Sequence, residues 1–471
     1  MSPPQNEKNR PLAALLVPDL LELLEEAPES IGPQTEEMHP ADLADVAEAL
    51  PEAQVRAFLA ALPKERAAEV LEYLDEELRT QVLEELSARE AASIVAEMDP
   101  DERADALDDL DEETADEILS ELTPDDKAET ERLLQYDPYT AGGLMTTEFV
   151  SVDETLTVEE ALRAVRAVAR VGRREAMYTI YTTDASGRLR GVLSLRELLA
   201  SPEGARLSEL AWTDVVSVPP EMLQEEVSQI TSNYDLVALP VVDRDKHLLG
   251  VVTVDDVIDV IQEEQTEDAQ KFGGMEALED PYMQIGLWQN VRKRGGWLAV
   301  LAVSEMLTAS VMARYEGEIG RVLLLSQFIP LVMSSGGNSG SQATSLIIRA
   351  MALGEVRIGD WWRVVLREIP AGLILGILLG SLAFVRILIW HALGMYDYGP
   401  HSFMIALTVG LALVGIVTIG SITGSMLPFL LKRLGFDPAS ASAPFVATLV
   451  DVSGISIYFG IAYLLLRGTL L

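Results

Sequence analysis

Residues 439–466 read ASASAPFVATLVDVSGISIYFGIAYLLL, and Asp451 is the one acid among them. The stretch is long enough to cross a bilayer as a helix, which takes about 20 mostly apolar residues. A carboxylate at the bilayer centre costs about 2.5–3.5 kcal/mol on insertion scales. Ala or Leu would insert more easily, so Asp451 is expected to have a task. At helical spacing Ala443, Ala447, Asp451 and Gly454 share one stripe. A stripe of small residues with one acid suits a pore wall or a tight helix contact better than a lipid face. The plainer alternative is an Asp satisfied by a neighbouring Arg or Ser.

Outward from this helix, residues 291–471 contain five apolar stretches, at about 296–315, 322–350, 366–390, 402–431 and 440–467. Basic residues orient them. Arg292, Lys293, Arg294, Arg349, Arg357, Arg363, Arg367, Lys432 and Arg433 fall on one side. Arg314, Arg321, Arg386 and Arg467 fall on the other. The richer side is expected to be cytoplasmic, which places residues 1–295 inside and the C-terminus outside. The second stretch carries Gly336-Gly337-Asn338-Ser339-Gly340-Ser341-Gln342 at membrane depth. Backbone leaves helical form there only where protein buries it or water lines it, so a break lining the ion path is expected. A close helix crossing is the alternative. Gly372, Gly376 and Gly380, like Gly420 and Gly424, recur every four residues and are assigned to close packing. Glu305, a second acid in the membrane, is expected to be paired structurally.

Charge divides the chain. Net charge is −40, yet residues 281–471 hold 13 Lys and Arg against 9 Asp and Glu, leaving 22 and 66 in residues 1–280. An acidic surface of this size repels nucleic acid and attracts cations. Cysteine is absent, which excludes disulfides and Cys-ligated metal. The opening MSPPQNEKNR lacks the apolar run of a signal peptide.

Within residues 1–135, Leu50, Leu62, Leu74, Leu86, Met98, Leu110 and Leu122 recur every 12 residues. Each is followed by Pro, Asp, Ser or Thr, residues that open helices. Units this short stack into a superhelical solenoid to bury their Leu and Ala faces. The outer faces are acidic, as in residues 99–111, DPDERADALDDLD. Asp101 and Asp105 lie one helical turn apart and repel unless a cation bridges them.

Two strand–turn–strand–helix units follow, containing residues 178–198 and 236–258, each after an amphipathic helix (158–169 and 225–234). Gly191, Ser194 and Glu197 in the first, and Gly250, Thr253 and Asp256 in the second, resemble a tandem pair of cystathionine-β-synthase (CBS) domains. In that family the Ser/Thr and acid can hold the phosphate and ribose of an adenine nucleotide such as ATP; Thr253 and Asp256 fit that pattern better than the Glu197 copy. Beyond them, residues 254–272 crowd Asp255, Asp256, Asp259, Glu263, Glu264, Glu267 and Asp268 onto one helix, with Lys271 the lone counter-charge. Hard divalent cations prefer such oxygens.

The order of acidic helical domain, CBS pair, acidic helix and five crossings, with GGNSGSQ (336–342) and PFVATLVDVSG (444–454), resembles the MgtE family of magnesium channels. The resemblance implies a multidomain membrane protein: an all-α superhelical N-terminal domain (1–135), α/β tandem CBS domains (136–200 and 201–262), a connecting plug helix (263–295) and an all-α five-helix transmembrane domain (296–471). It implies a homodimer in the plasma membrane, taking up Mg²⁺ through a pore on its twofold axis. Asp451 and the carbonyl of Ala447 would hold the hydrated ion, with Gly336, Gly337, Asn338, Gly340, Ala443, Thr448 and Gly454 lining the path. Cytosolic Mg²⁺ on Asp101, Asp105, Asp256, Asp259, Glu264, Glu267 and Asp268 would shut it. Related chains can carry Asn where this one has Ala443, which opens the way to Mn²⁺, Co²⁺ or Ni²⁺. A CBS-regulated anion transporter would need cationic rings or helix N-termini at the ion path rather than an acid. A membrane-anchored enzyme has no P-loop, Ser-His-Asp set or His-rich motif to rest on, so no catalytic residues are expected.

Overall fold

The computed structural model describes residues 11–168, 176–278, 282, 285–315 and 323–467. Ala169 and Arg321, used above, lie outside them. The described chain forms two compact units that part at residues 261 and 262.

The first unit opens with ten helices: α1 (Pro11–Glu26), α2 (Ile31–Thr35), α3 (Pro40–Ala49), α4 (Glu52–Ala61), α5 (Lys64–Glu72), α6 (Glu76–Glu85), α7 (Ala88–Val95), α8 (Pro100–Asp108), α9 (Glu112–Glu121) and α10 (Pro124–Leu133). The 12-residue repeat sets their boundaries. Asp75, Ser87, Asp111 and Thr123 each accept backbone N–H bonds that begin a helix. The repeat residues Leu50, Leu62, Leu74, Met98, Leu110 and Leu122 are buried between helices. Beside the contacts of α4 with its chain neighbours α3 and α5, odd helices pack on odd and even on even: α3 on α5, α5 on α7, α7 on α9, and α4 on α6, α6 on α8, α8 on α10. Two rows of short helices thus bury one continuous core that no single helix of two to three turns could bury alone.

The CBS pair follows. β1 (Phe149–Asp153), α11 (Val158–Val168), β2 (Ala176–Thr183), β3 (Leu189–Ser194) and α12 (Leu195–Ala200) make the first module, with β1 parallel to β2 and β2 antiparallel to β3. After the short α13 (Leu207–Leu210), the second repeats the order. A parallel bridge from Val218 to Val241 stands for its first strand, and α14 (Gln224–Tyr234), β4 (Ala238–Val242), β5 (Leu248–Thr253) and α15 (Val254–Phe272) complete it. The modules meet at their hairpins, where Leu189 N–H donates to the Lys246 carbonyl at 2.8 Å. The Tyr181 hydroxyl donates to the Ala238 carbonyl at 3.2 Å.

The second unit holds α16 (Leu287–Arg314), α17 (Leu323–Ser326), α18 (Ile329–Ala352), α19 (Trp361–Ala392), α20 (Ser402–Arg433) and α21 (Ala443–Leu466). Four helices among the described residues are long and apolar enough to cross a membrane; they include α16, α19, α20 and α21. The remaining expected crossing is α18, 24 residues long but carrying SSGGNSGSQ. It packs against both α20 and α21. Two expectations need correction. Residues 336–342 do not leave helical form: α18 is unbroken from Ile329 to Ala352. And residues 263–295 are not one element: α15 ends at Phe272, and α16 begins at Leu287.

Candidate ion path and acidic clusters

On α21, Val446, Val450, Gly454, Ile455 and Tyr458 are buried, whereas Ala443, Ala447 and Asp451 are half-exposed. The helix is therefore two-faced, with its acid on a partly open stripe of small residues. Ser442 caps it, accepting the Phe445 N–H.

The glycines of α18 explain its unbroken helix. A Cβ on Gly336 would meet Ile416 at 2.5 Å and Val450 at 2.7 Å; one on Gly340 would meet Val446 at 2.8 Å and the Gly420 carbonyl at 3.1 Å. In return, the missing Cβ of Gly424 points at the Gly340 backbone, and that of Gly420 lies 2.5 Å from the Gly336 carbonyl. Gly337 faces Ala447. The segment is a close helix crossing in which bare backbone meets bare backbone, tied by the Thr344 hydroxyl to the Gly424 carbonyl at 2.8 Å. Gly336, Gly337 and Gly340 are accordingly buried in helix contacts and do not line an open path. Thr448 is also buried, its hydroxyl donating back to the carbonyls of Pro444 and Phe445. Gly454 lies under Ile416. Gly340→Leu is expected to disrupt this crossing, because overpacking costs about 1–3 kcal/mol even where side chains can yield, and here backbone must. The folded fraction by size exclusion in detergent should fall sharply; a wild-type profile with wild-type unfolding temperature overturns the packing account.

Beside the exposed Leu331 and Leu346, α18 leaves a polar row open. Ser334, Asn338, Gln342 and Ser345 are exposed, with Asn338 Nδ2 donating to Ser334 Oγ at 3.3 Å. Half-exposed Ser341 donates to the Ala443 carbonyl at 3.3 Å. Sequence reading picked Asn338 and passed over the others, although their spacing of three and four residues marks one face of a membrane helix. Glu305 on α16 is exposed and, among the described residues, has no cation at ion-pair distance, contrary to the pairing expected of it. Its charge acts on Asp451 across the contact of α16 with α21.

Acids also gather outside the membrane region. In the first unit, Ala104 of α8 and Val257 of α15 belong to one apolar cluster with Leu133 and Met145. That packing brings Asp101, Glu102 and Asp105 to Asp256. Asp101 Oδ1 is buried without a hydrogen-bond partner. Burial, then the charges of Asp256, Glu102 and Asp99, hold the Asp101 carboxyl well above its usual range. Burial, followed by Asp105, raises Glu102 to about 8, against the opposing pull of Arg79. Asp105 rises to about 7, again chiefly through burial. Asp256 rises to about 6, burial being partly offset by the Thr253 hydroxyl, which donates to it at 2.5 Å. Thr253 and Asp256 thus bond to each other at the head of α15, as Ser194 and Glu197 do at α12. Four carboxyls short of positive charge are a ligand set for a hard cation. Sequence reading missed Glu102.

Further along α15, Asp259 is exposed, and Glu264, Glu267 and Asp268 are half-buried. Burial, then Asp437 and Glu264, raise Asp268 to about 6. Asp437, the cap of the turn Pro438–Ser440 before α21, was also missed by sequence reading. Among the described residues the tightest metal-type trio is Asp243, Asp245 and His247. It sits at the β4–β5 turn, where Asp243 already accepts from the backbone N–H groups of Asp245 and His247.

The divalent cation transporter family model matches residues 329–461, the MgtE intracellular N domain matches 38–139, and the CBS domain matches 141–204 and 207–263. The chain is 42% identical over 343 residues to the magnesium transporter MgtE of Thermus thermophilus, covering 72% of this chain and 73% of that protein. It is 34% identical over 342 residues to the magnesium transporter MgtE of Enterococcus faecalis, covering 72% of each. A crystal structure of the soluble part of a magnesium transporter overlays with a TM-score of 0.50 at 32% identity, covering 54% of this chain and 99% of that one.

Proposed function

The chain belongs to the MgtE family of magnesium transporters, and from that premise we propose that it is a Mg²⁺-selective channel for uptake, working as a homodimer and closed by cytosolic Mg²⁺. The observation that carries the reading is Asp451, a lone acid half-exposed on a stripe with Ala443 and Ala447 in an otherwise apolar helix. Mg²⁺ gives up its waters reluctantly and usually keeps several. A path for it needs space for a hydrated ion and strong negative charge beside it. Small Ala side chains give the space, and Asp451 from two subunits facing one axis gives the charge. The polar face of α18, with Ser334, Asn338 and Gln342, supplies hydrogen-bonding partners for the ion's waters. An anion path would meet repulsion at the same carboxylates.

Closure rests on the acids outside the membrane region. Mg²⁺ on Asp101, Glu102, Asp105 and Asp256 would tie α8 to the head of α15. Mg²⁺ on Glu264, Glu267, Asp268 and Asp437 would tie the tail of α15 to the approach of α21. Asp259 adds charge between the two groups. Depletion leaves like charges unscreened along α15, which weakens both ties and opens the path. Ala443 presents no polar side chain to the ion, so larger divalent ions are discriminated less strongly here than where Asn stands.

The test is Mg²⁺ uptake into proteoliposomes, with Mg²⁺ clamped on the side that bears residues 1–280. Uptake should be fast at low clamped Mg²⁺ and shut at high. No uptake at any clamp refutes transport; uptake indifferent to the clamp refutes feedback.

A further inference from the structure

Lys271 is the one basic residue of α15, beside seven acids. Helix C-termini favour cations and disfavour anions, yet Glu263, Glu264, Glu267 and Asp268 fill the C-terminal half of this helix. Lys271 stands in its last turn, half-buried, with Nζ 2.5 Å from Glu267 Oε1 and 2.7 Å from Asp437 Oδ2. Glu267 is one turn back on the same helix, so the ammonium joins it to a carboxylate 166 residues further along the chain from Lys271.

Asp437 is not a passive partner. Its other oxygen accepts the Ala439 N–H at 2.8 Å and so caps the turn leading to Ser442, the cap of α21. Past α15 the chain turns at Gly274, which has φ +78° and is buried; a Cβ there would meet Trp297 at 2.9 Å and Pro444 at 3.3 Å. Trp297 Nε1 in turn donates to Ser442 Oγ at 3.1 Å. The tail of α15 is therefore fastened at both ends of the segment 437–444 from which the Asp451 helix starts. Phe272 packs on the same apolar core as Val446 and Val450.

We propose that Lys271 is a positioning residue of the gate: a permanent, tethered cation that seats the tail of α15 on Asp437 and leaves a dissociable divalent ion only the remaining charge to neutralise. Lys271 then sets the Mg²⁺ concentration at which the channel shuts. An ammonium cannot leave, so it biases the closed arrangement at every Mg²⁺ level. It neutralises only one of the charges contributed by Glu264, Glu267, Asp268 and Asp437, so it cannot close the gate alone.

This inference rests on the Mg²⁺-closed reading above, and the experiment separates the two. Full-length wild type, Lys271→Met, Lys271→Gln and Lys271→Arg are reconstituted, and uptake is measured against clamped Mg²⁺. Removing the charge should raise the half-closing Mg²⁺ about fivefold or more, since a half-buried pair with two acceptors exceeds a plain surface pair. Uptake at zero clamped Mg²⁺ should not fall below the wild-type level, and Lys271→Arg should restore the wild-type threshold. A purely structural role would instead lower uptake at all Mg²⁺ levels without moving the threshold, and that result overturns the proposal. So does a lower threshold in Lys271→Met, which would make the ammonium a competitor of Mg²⁺. If Lys271→Met does not assemble, Lys271→Gln, which keeps a polar head, decides the matter by the same readings. Wild-type uptake that ignores Mg²⁺ removes the feedback reading itself; a normal wild-type threshold left unmoved in both neutral variants removes only the role of Lys271.

Discussion

Asp451→Asn abolishes divalent uptake while the protein assembles normally: that is the expected result of removing the one acid of α21. The size of the effect follows from charge. Two unit charges 4 Å apart interact by about 4 kcal/mol at an effective dielectric of 20, and the cargo carries two. Losing that attraction, from each subunit of the proposed dimer, should lower flux by at least ~100-fold, since each 1.4 kcal/mol is a factor of ten. Assembly should not suffer. No hydrogen bond to the Asp451 carboxylate is found among the described residues, and its flanking buried neighbours Val450 and Ile455 carry the packing. Asn also spares the membrane an ionised group. Glu305 does not take its place, because it stands on α16 and not on the small-residue stripe of α21. Uptake is compared in vesicles at matched protein content. Wild-type flux in Asp451→Asn would remove Asp451 from the ion path, and with it the principal support for the channel reading.

How far the sequence revealed this arrangement depends on how local each cause is. The helix boundaries of residues 40–133 were legible because starts and stops are written beside each other: Leu86 closes α6, and Ser87 with Glu90 forms the box that opens α7. The two CBS modules were legible for the same reason, each hairpin carrying its turn and its capping pair. The glycine stretch misled because its composition suits a broken helix as well as a crossing. What decides is the complementary pair Gly420 and Gly424 on α20, which meets it at the same spacing. Gly454 shares the Asp451 stripe by spacing alone, but at its depth Ile416 of α20 covers it. Asp437 escaped notice because it stands alone in its local sequence, and Glu102 because it is one acid among many in residues 99–111. Asp437 gains meaning only when α15 arrives beside it, and Glu102 only when Val257 packs with Ala104.

Neutralising Asp259, Glu264, Glu267 and Asp268 together to Ala should leave the channel open at Mg²⁺ concentrations that shut the wild type, moving half-closure up by about tenfold or more. Two effects oppose each other in this variant. Removing four acids from α15 relieves repulsion, which favours the compact arrangement even without Mg²⁺. It also removes ligands, which weakens the binding that drives closure. Repulsion among exposed charges is screened beyond about 8–10 Å in physiological salt, and Asp259 is exposed. A coordinated divalent ion sits within about 2–2.6 Å of its oxygens, where no salt intervenes. Loss of ligands therefore dominates. The four are removed together because of what a gate requires. Swinging an equilibrium from 1:99 to 99:1 takes a differential affinity of about 10⁴-fold between the two states. One partly hydrated site does not supply that; several sites filled together do, provided the closed state binds the ion more tightly. Single substitutions should move half-closure modestly, and the quadruple variant should lose most of the ion dependence assigned to the tail of α15. The cluster at Asp101, Glu102, Asp105 and Asp256 remains, so some Mg²⁺ response should survive at higher concentration. Protease protection of residues 1–280 and channel activity in patches are followed across the same Mg²⁺ series. If the quadruple variant closes at the wild-type concentration, or wild type gains no protection as Mg²⁺ rises, the acids of α15 are not the sensor.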